Sequence, residues 1–329
     1  MTDVLFNPDY LIFVLTSATI FVILTMALNM IVGFIGYLNL GHVGFWSIGA
    51  YCYSVLLMNG TPFWLALIAG GLLAGFSGFL LGLPTLRLKS HYIAIASLGF
   101  TYIVYSLAIN LTGITRGPLG IPGIPRPSFW GIDFEDKYLF FLLCAAIAVV
   151  SGFIMKRVLA SPFGKILETI REDEIASQSI GKNTFSFKLK AFTVSAFFAG
   201  IAGGLWASLY QFISPYSFFI PELVFLLAAL MIGGAGSFWG GVVGTYVLYI
   251  IYESVRFMPV PPTSVGALQQ MAFALLLIII MIFRPRGIMG KKAATFHRSG
   301  ISFRFKICTN LSVELKPGIT AVFQLKKVP

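Results

Sequence analysis

From its first residues the chain alternates between long uncharged apolar runs and short segments where polar and charged residues collect. A bilayer core about 30 Å thick takes about 20 apolar residues as one helix. Tyr10–Val32 is the first run of that kind, with no charge inside it. Further runs follow at about 43–58, 62–83, 91–109, 138–155, 191–210, 217–233, 240–255 and 266–283, which makes nine. The run 217–233 is the weakest, because Pro221 and Glu222 interrupt its start. The pattern predicts an all-α polytopic membrane protein of about nine transmembrane helices (8–10), with broken or re-entrant Gly-rich segments. No Lys or Arg precedes Arg87, so the basic start of a cleaved signal peptide is missing and the first run is expected to be retained.

Composition narrows the class. Of 329 residues, 57% are hydrophobic and 11% charged, and the mean hydropathy is +0.89. Soluble domains carry about 25% charged residues, so a soluble enzyme and a disordered chain are excluded. The net charge of +11 is no nucleic-acid signal. Residues 291–329 hold eight Lys/Arg and one acid, and the other 290 residues are only +4. The division expected is a transmembrane domain over 1–290 and a basic, poorly ordered C-terminal tail over 291–329. Three cysteines, Cys52, Cys144 and Cys308, make no disulfide framework or metal pair.

Basic residues set orientation. Arg87 and Lys89 lie in one short loop, seven Lys/Arg lie in 156–190, and Arg284 and Arg286 follow the last run. Nine crossings put all of these in the cytoplasm with the C-terminus, and leave the N-terminus outside. The Gly/Pro-rich segment 110–137 then falls outside, and its four prolines forbid a long helix.

The loop 156–190 carries the clearest mechanism. Ser161-Pro162 is a helix start, with Ser as N-cap and Pro at the first helical position. Gly181 is placed to stop the helix. Between them Phe163, Ile166, Leu167 and Ile170 form one apolar face, and Glu168, Glu172, Asp173 and Glu174 make the other acidic. The expectation is one amphipathic helix of about 19 residues outside the bilayer, lying on lipid or docking into a partner protein. Lipid-surface helices favour Lys and Arg on the polar face, so the acids favour a protein partner. No G-x-x-x-x-G-K-[ST] loop occurs in the sequence, so ATP-driven transport would need its ATPase on another chain.

These residues resemble a known family. Ser161-Pro162-Phe163-Gly164, Ile170-Arg171-Glu172-Asp173-Glu174-Ile175-Ala176, Ile180-Gly181 and Lys188-Leu189-Lys190-Ala191-Phe192 closely resemble the ATPase-coupling loop of ABC importer permeases. The match is closest to the branched-chain amino acid (Leu/Ile/Val) permease family, in its M-type subunit. Gly33-Phe34-Ile35-Gly36-Tyr37-Leu38-Asn39-Leu40-Gly41-His42, the Gly-rich 232–244 segment and Arg284-Pro285-Arg286-Gly287 extend the resemblance over about 10–290. One departure stands in the coupling loop, where Ile175-Ala176-Ser177 occupies the slot of the general importer's Glu-Ala-Ala and Glu174 lies one place earlier. The resemblance implies an inner-membrane permease subunit without a cofactor, ATP being used by a partner. It also implies a second permease subunit of different sequence, two cytoplasmic ATPase subunits and a periplasmic substrate-binding protein. Arg171, Glu172, Asp173, Glu174, Ala176 and Gly181 become the expected ATPase-coupling residues. Two alternatives stay open: a urea or short-amide ABC permease of the same family, and an ion-coupled secondary transporter.

Glycines and intramembrane polar groups complete the reading. Gly71-x-x-x-Gly75, Gly78-x-x-x-Gly82 and Gly236-x-x-x-Gly240-x-x-x-Gly244 are expected to let helix backbones approach closely, within the chain or across a dimer. Five glycines between Gly33 and Gly49 are too dense for a simple continuous helix. A broken helix there would turn Asn39 and His42 toward a translocation route, whereas an ordinary cytoplasmic turn would not. Asn29, Glu222 and Glu253 are the other candidates for that path. The stretches Gly44-Phe45-Trp46 and Ser237-Phe238-Trp239 faintly suggest an internal repeat.

Overall fold

The computed structural model of the chain describes residues 8–88, 90–129 and 132–254, with parts of 266–289. The tail 291–329 lies outside the described residues, as do eight of the eighteen positions of the ninth apolar run, 266–283, whose described positions are helical. The first eight of the nine runs form helices among the described residues. They are α1 (Pro8–Asn29), α2 (His42–Met58), α3 (Phe63–Thr85), α4 (Ser90–Asn110) and α5 (Lys137–Ala160), then α8 (Thr184–Tyr210), α9 (Ile220–Gly233) and α10 (Phe238–Ser254). Between α5 and α8 lie the short α6 (Pro162–Glu172) and α7 (Glu174–Ser179). Among the described residues, six helical segments are long and apolar enough to cross a bilayer, counting the turn of Pro215–Ser217 with α9. The family of antiparallel α-helices fits lipid, where each backbone donor must find its acceptor inside the chain.

Neighbouring contacts fix which helix ends lie together. α1 and α10 run antiparallel: Asn29 bonds the Ser237 carbonyl, Thr19 bonds Tyr246, and Tyr10 donates to Glu253. At the Tyr10 end, Lys137 pairs with Asp9 at 3.0 Å. There also the two-residue strand β1 (Ile121–Pro122) pairs antiparallel with β4 (Phe212–Ile213), while β2 (Ser128–Phe129) pairs with β3 (Ile132–Asp133). The Pro-rich segment is therefore not helical beyond the single turns Thr112–Thr115 and Gly117–Leu119. It shares an end with the α8–α9 connection. At the opposite end lie the α1–α2 break, α6, α7 and the α9–α10 turn. α9 begins beside Tyr102 and Tyr105 through Phe219 and ends against Gly240 and Gly244 through Gly233. It therefore traverses the bundle rather than turning back.

The centre is α8, packed on α2 and α3 through small residues. A Cβ added to Gly200 would lie 2.5 Å from Ala74 Cβ, and one on Gly49 would lie 2.2 Å from Gly200 Cα. Gly71, Gly75 and Gly78 face Phe197, Thr193 and Ala196 of α8, so these stripes serve packing within the chain. The third stripe does not exist as one: Gly236 precedes α10 and has a φ of +82°, and only Gly240 and Gly244 lie on the helix. Gly44 and Gly49 also lie inside a helix, α2. The break is narrower than the glycine spacing suggests. It consists of a π-helical turn, Met30–Ile35, closed by Gly36 at φ +83° and followed by non-helical residues to Gly41.

Candidate functional site

Ser161 caps α6, its Oγ accepting from Phe163 N at 3.2 Å, with Pro162 at the first position. The helix then stops sooner than periodicity predicts. Asp173 is extended (φ −155°, ψ 108°), and its Oδ1 accepts from Ala176 N at 3.0 Å, capping a new helix. The single amphipathic helix of about 19 residues is thus two helices meeting at Asp173. Aspartate is a better cap than helix-interior residue, because its carboxylate takes an otherwise unpaired N–H. At the far end Gly181, at φ +79°, donates to the Gln178 carbonyl at 2.9 Å and Lys182 N reaches the Ser177 carbonyl, so α7 stops where the sequence places the stop.

Splitting the helix turns Glu174 inward, off the acidic face it was assigned. Its Oε2 accepts from Tyr37 Oη at 2.6 Å. Its Oε1 accepts from Lys188 Nζ at 2.5 Å and from Thr184 Oγ1 at 3.1 Å. Lys188 also bonds Tyr37 Oη at 3.3 Å and lies over its ring, 5.1 Å from the centroid. The Lys188 side chain is only 4% exposed. A lysine so buried needs its carboxylate partner. Burial works against the charge on Glu174, but hydrogen bonds from Lys188 and Tyr37 and the Lys188 charge outweigh it and hold the carboxyl below its usual range. Burial, with the bond to Glu174 and its charge, pushes the Tyr37 hydroxyl above its ordinary range, so Tyr37 stays a donor.

Arg171, at the end of α6, donates to the Gly33 carbonyl inside the π-helical turn. Its aliphatic stem lies against Gly36, where a Cβ would fall 2.9 Å from Arg171 Cγ. Glu172, Asp173 and Ala176 are exposed, as are two large apolar side chains that the periodicity left unassigned, Ile175 (76%) and Ile180 (70%). On the inner face, the sequence reading missed Tyr37 and Lys188. Tyr37 was visible as an aromatic beside a glycine break, and Lys188 as a basic residue only three positions before an apolar run.

The five intramembrane polar candidates fall into two groups. Near the π-helical turn, Asn29 donates to the Ser237 carbonyl at 2.8 Å and accepts from Gly236 N at 2.9 Å. Asn39 Oδ1 accepts from Gly41 N at 2.9 Å, and His42 Nε2 lies 3.1 Å from the Leu24 carbonyl. All three are buried. At the opposite end, Glu222 stands half-buried in the first turn of α9, and Glu253 lies buried near the end of α10, bonded by Tyr10. Tyr210 and Tyr249 lie within electrostatic reach of both carboxylates. Among the described residues no group of three His, Cys, Asp or Glu could hold a metal ion.

Comparison with known proteins agrees with this architecture. The family model described as branched-chain amino acid transport system / permease component matches residues 10–283. The chain is 38% identical over 298 residues to the high-affinity branched-chain amino acid transport system permease protein LivM of Escherichia coli (strain K12), covering 83% of this chain and 68% of that protein. It is 24% identical over 300 residues to the corresponding protein LivH of the same organism, covering 84% of this chain and 93% of LivH. It is also 25% identical over 232 residues to the guanosine ABC transporter permease protein NupQ of Bacillus subtilis (strain 168), covering 62% of this chain and 72% of that protein. No solved structure matches it. The helical bundle and these matches make one conclusion: the chain belongs to the branched-chain amino acid transport permease family, as a non-enzymatic membrane component.

Proposed function

We propose that this chain is the inner-membrane permease subunit of an ATP-driven importer of branched-chain amino acids. The observation that carries the reading is the match to LivM across most of the chain, beside a family match that spans residues 10–283. A second permease subunit, of the LivH kind, completes the path, and two cytoplasmic ATPase subunits and a periplasmic binding protein complete the machine. The C-terminus is cytoplasmic and the N-terminus outside in this reading, and residues 1–290 suffice for transport without the tail.

The exposed side of α6 and α7 is the docking face in this proposal. Glu172 and Asp173 form its acidic rim, Ile175, Ala176 and Ile180 its apolar plug, and Gly181 its fixed end, while Arg171 and Glu174 anchor it from behind. The path passes Glu222 and Glu253, and Asn29, Asn39 and His42 reach it when the helix break opens. The test is uptake of labelled leucine by liposomes holding the whole complex, with guanosine and urea as competitors. Leucine uptake that needs ATP hydrolysis supports the reading. Uptake on an ion gradient without any ATPase refutes it, and preferential competition by guanosine or urea refutes the substrate.

A further inference from the structure

Two short helices carry the docking face, and their bonds lead both to α8, through Thr184 and Lys188, and to the break between α1 and α2. Arg171 holds the Gly33 carbonyl, and its stem covers Gly36. Glu174 holds Tyr37, one residue beyond Gly36, and Lys188 of α8 joins both. Two successive helices therefore grip the same seven-residue turn from Gly33 to Asn39 at both ends of its glycine hinge. The turn also touches the α9–α10 connection, where a Cβ on Gly236 would lie 2.7 Å from Arg171 Nη1. Asn29 bonds Gly236 and Ser237, and a Cβ on Gly33 would lie 2.4 Å from Gly236 N.

The gripped element is suited to move. Its hydrogen bonding is of the π type, with Gly36 N donating to the Ile31 carbonyl, five residues back. Such turns hold one residue more than an α-helical turn, are rare, and frequently stand at functional sites. Conversion to α geometry would release that residue and swing the Gly33 carbonyl away from Arg171. Packed interiors shift between discrete arrangements rather than deforming continuously. Pulling on α6 and α7 would therefore change the turn in one step.

We propose that Arg171, Glu174, Tyr37 and Lys188 form a clamp that transmits movement of the docking helices to the π-helical turn, and through Asn29 to the α9–α10 connection. The clamp residues are positioning residues, acting through the turn they hold. The inference rests on the importer reading above. Beside the direct bonds to α8, it gives the docking helices a route into a break 137 residues away in sequence from Glu174.

The test measures leucine moved per ATP hydrolysed in the reconstituted wild-type complex and in Tyr37→Phe, Glu174→Gln and the double variant. Both substitutions keep side-chain shape, and neither residue lies on the exposed docking face. The expected result is a fall of about fivefold or more in leucine per ATP, within the usual range of coupling between sites. The double variant should fall no further than the worse single one, because the two residues share one bond. Hydrogen exchange over residues 30–41 should rise in each variant. A ratio within twofold of wild type in Tyr37→Phe overturns the clamp, as do independent, additive losses. If Glu174→Gln does not accumulate in the membrane, Tyr37→Phe, which removes a single oxygen, decides alone. Failure of the wild-type complex to couple ATP to leucine would instead overturn the importer reading, so the two failures are distinguishable.

Discussion

Gly203→Ala is the sharpest probe of how the bundle is held together. A Cβ at Gly203 in α8 would lie 2.3 Å from the Trp46 carbonyl oxygen and 2.7 Å from Ala50 N, both backbone atoms of α2. Backbone cannot rotate away, so the two helices must part by about 1 Å to reach ordinary contact distance. Overpacking of this kind costs about 1–3 kcal/mol, and two backbone clashes place it near the upper end. The helix preference for Ala over Gly returns about 1 kcal/mol. The net expectation is a loss of about 2 kcal/mol. Gly99→Ala is the control, since a Cβ there meets nothing within 4 Å. It should match wild type or gain up to about 1 kcal/mol from the same helix preference. Thermal unfolding in detergent can be read with a thiol-reactive dye, because Cys144 is free and buried and Cys52 is half-buried. A Cys308→Ser background removes the tail thiol. Gly203→Ala melting at or above wild type would refute the close-contact argument, as would equal losses in both variants.

Other perturbations address the docking loop. If the proposed docking face is right, Ile175→Glu should cut co-purification of the ATPase subunits at least about tenfold, since loss of an apolar interface anchor costs about 2 kcal/mol or more; a pull-down with unchanged membrane insertion measures it. Gly181→Ala should destabilise the end of α7 by about 1–2 kcal/mol through backbone strain alone, because its φ of +79° suits glycine whereas a Cβ would clash with nothing within 4 Å; hydrogen exchange over 174–182 reads the loss, and Gly181→Pro, whose ring forbids positive φ, should abolish transport with the protein still inserted. The pH dependence follows from Glu174. Its carboxyl is held below the usual value of 4.5, so its contribution is complete above that value and is lost as pH falls through the lower native one. Exchange over 171–190, corrected for intrinsic rates, should be flat from pH 8 to 5 and rise only below 4.5; a rise near neutrality would show that Glu174 is not ion-paired.

Much of this protein is written in its linear pattern. Apolar runs of membrane length located eight described helices to within a few residues at most ends, because burial in lipid demands continuous apolarity regardless of partners. α8 is the exception, starting at Thr184 rather than near 191. Lys188 and Lys190 read as loop residues in sequence, yet a helix can hold a buried lysine once a carboxylate meets it. The caps at Ser161-Pro162 and Gly181 were equally legible, since capping is settled among residues a few places apart.

What lay beyond the sequence is which side of the loop faces inward. Amphipathic periodicity runs smoothly across Asp173 and put Glu174 on an acidic solvent face. The break at Asp173 re-aims every side chain after it, so Glu174 turns in and Ile175 and Ile180 turn out. Likewise the Gly236-Gly240-Gly244 spacing looks helical, but positive φ at Gly236 leaves it in the turn that Asn29 fastens. The sequence determined the helices, their order and the ends of the loop, because those depend on near neighbours and on the solvent each segment needs. The tertiary structure alone decided the Arg171, Glu174, Tyr37 and Lys188 contacts. They join residues up to 151 positions apart, and no local pattern encodes a pairing that exists only once the helices have packed.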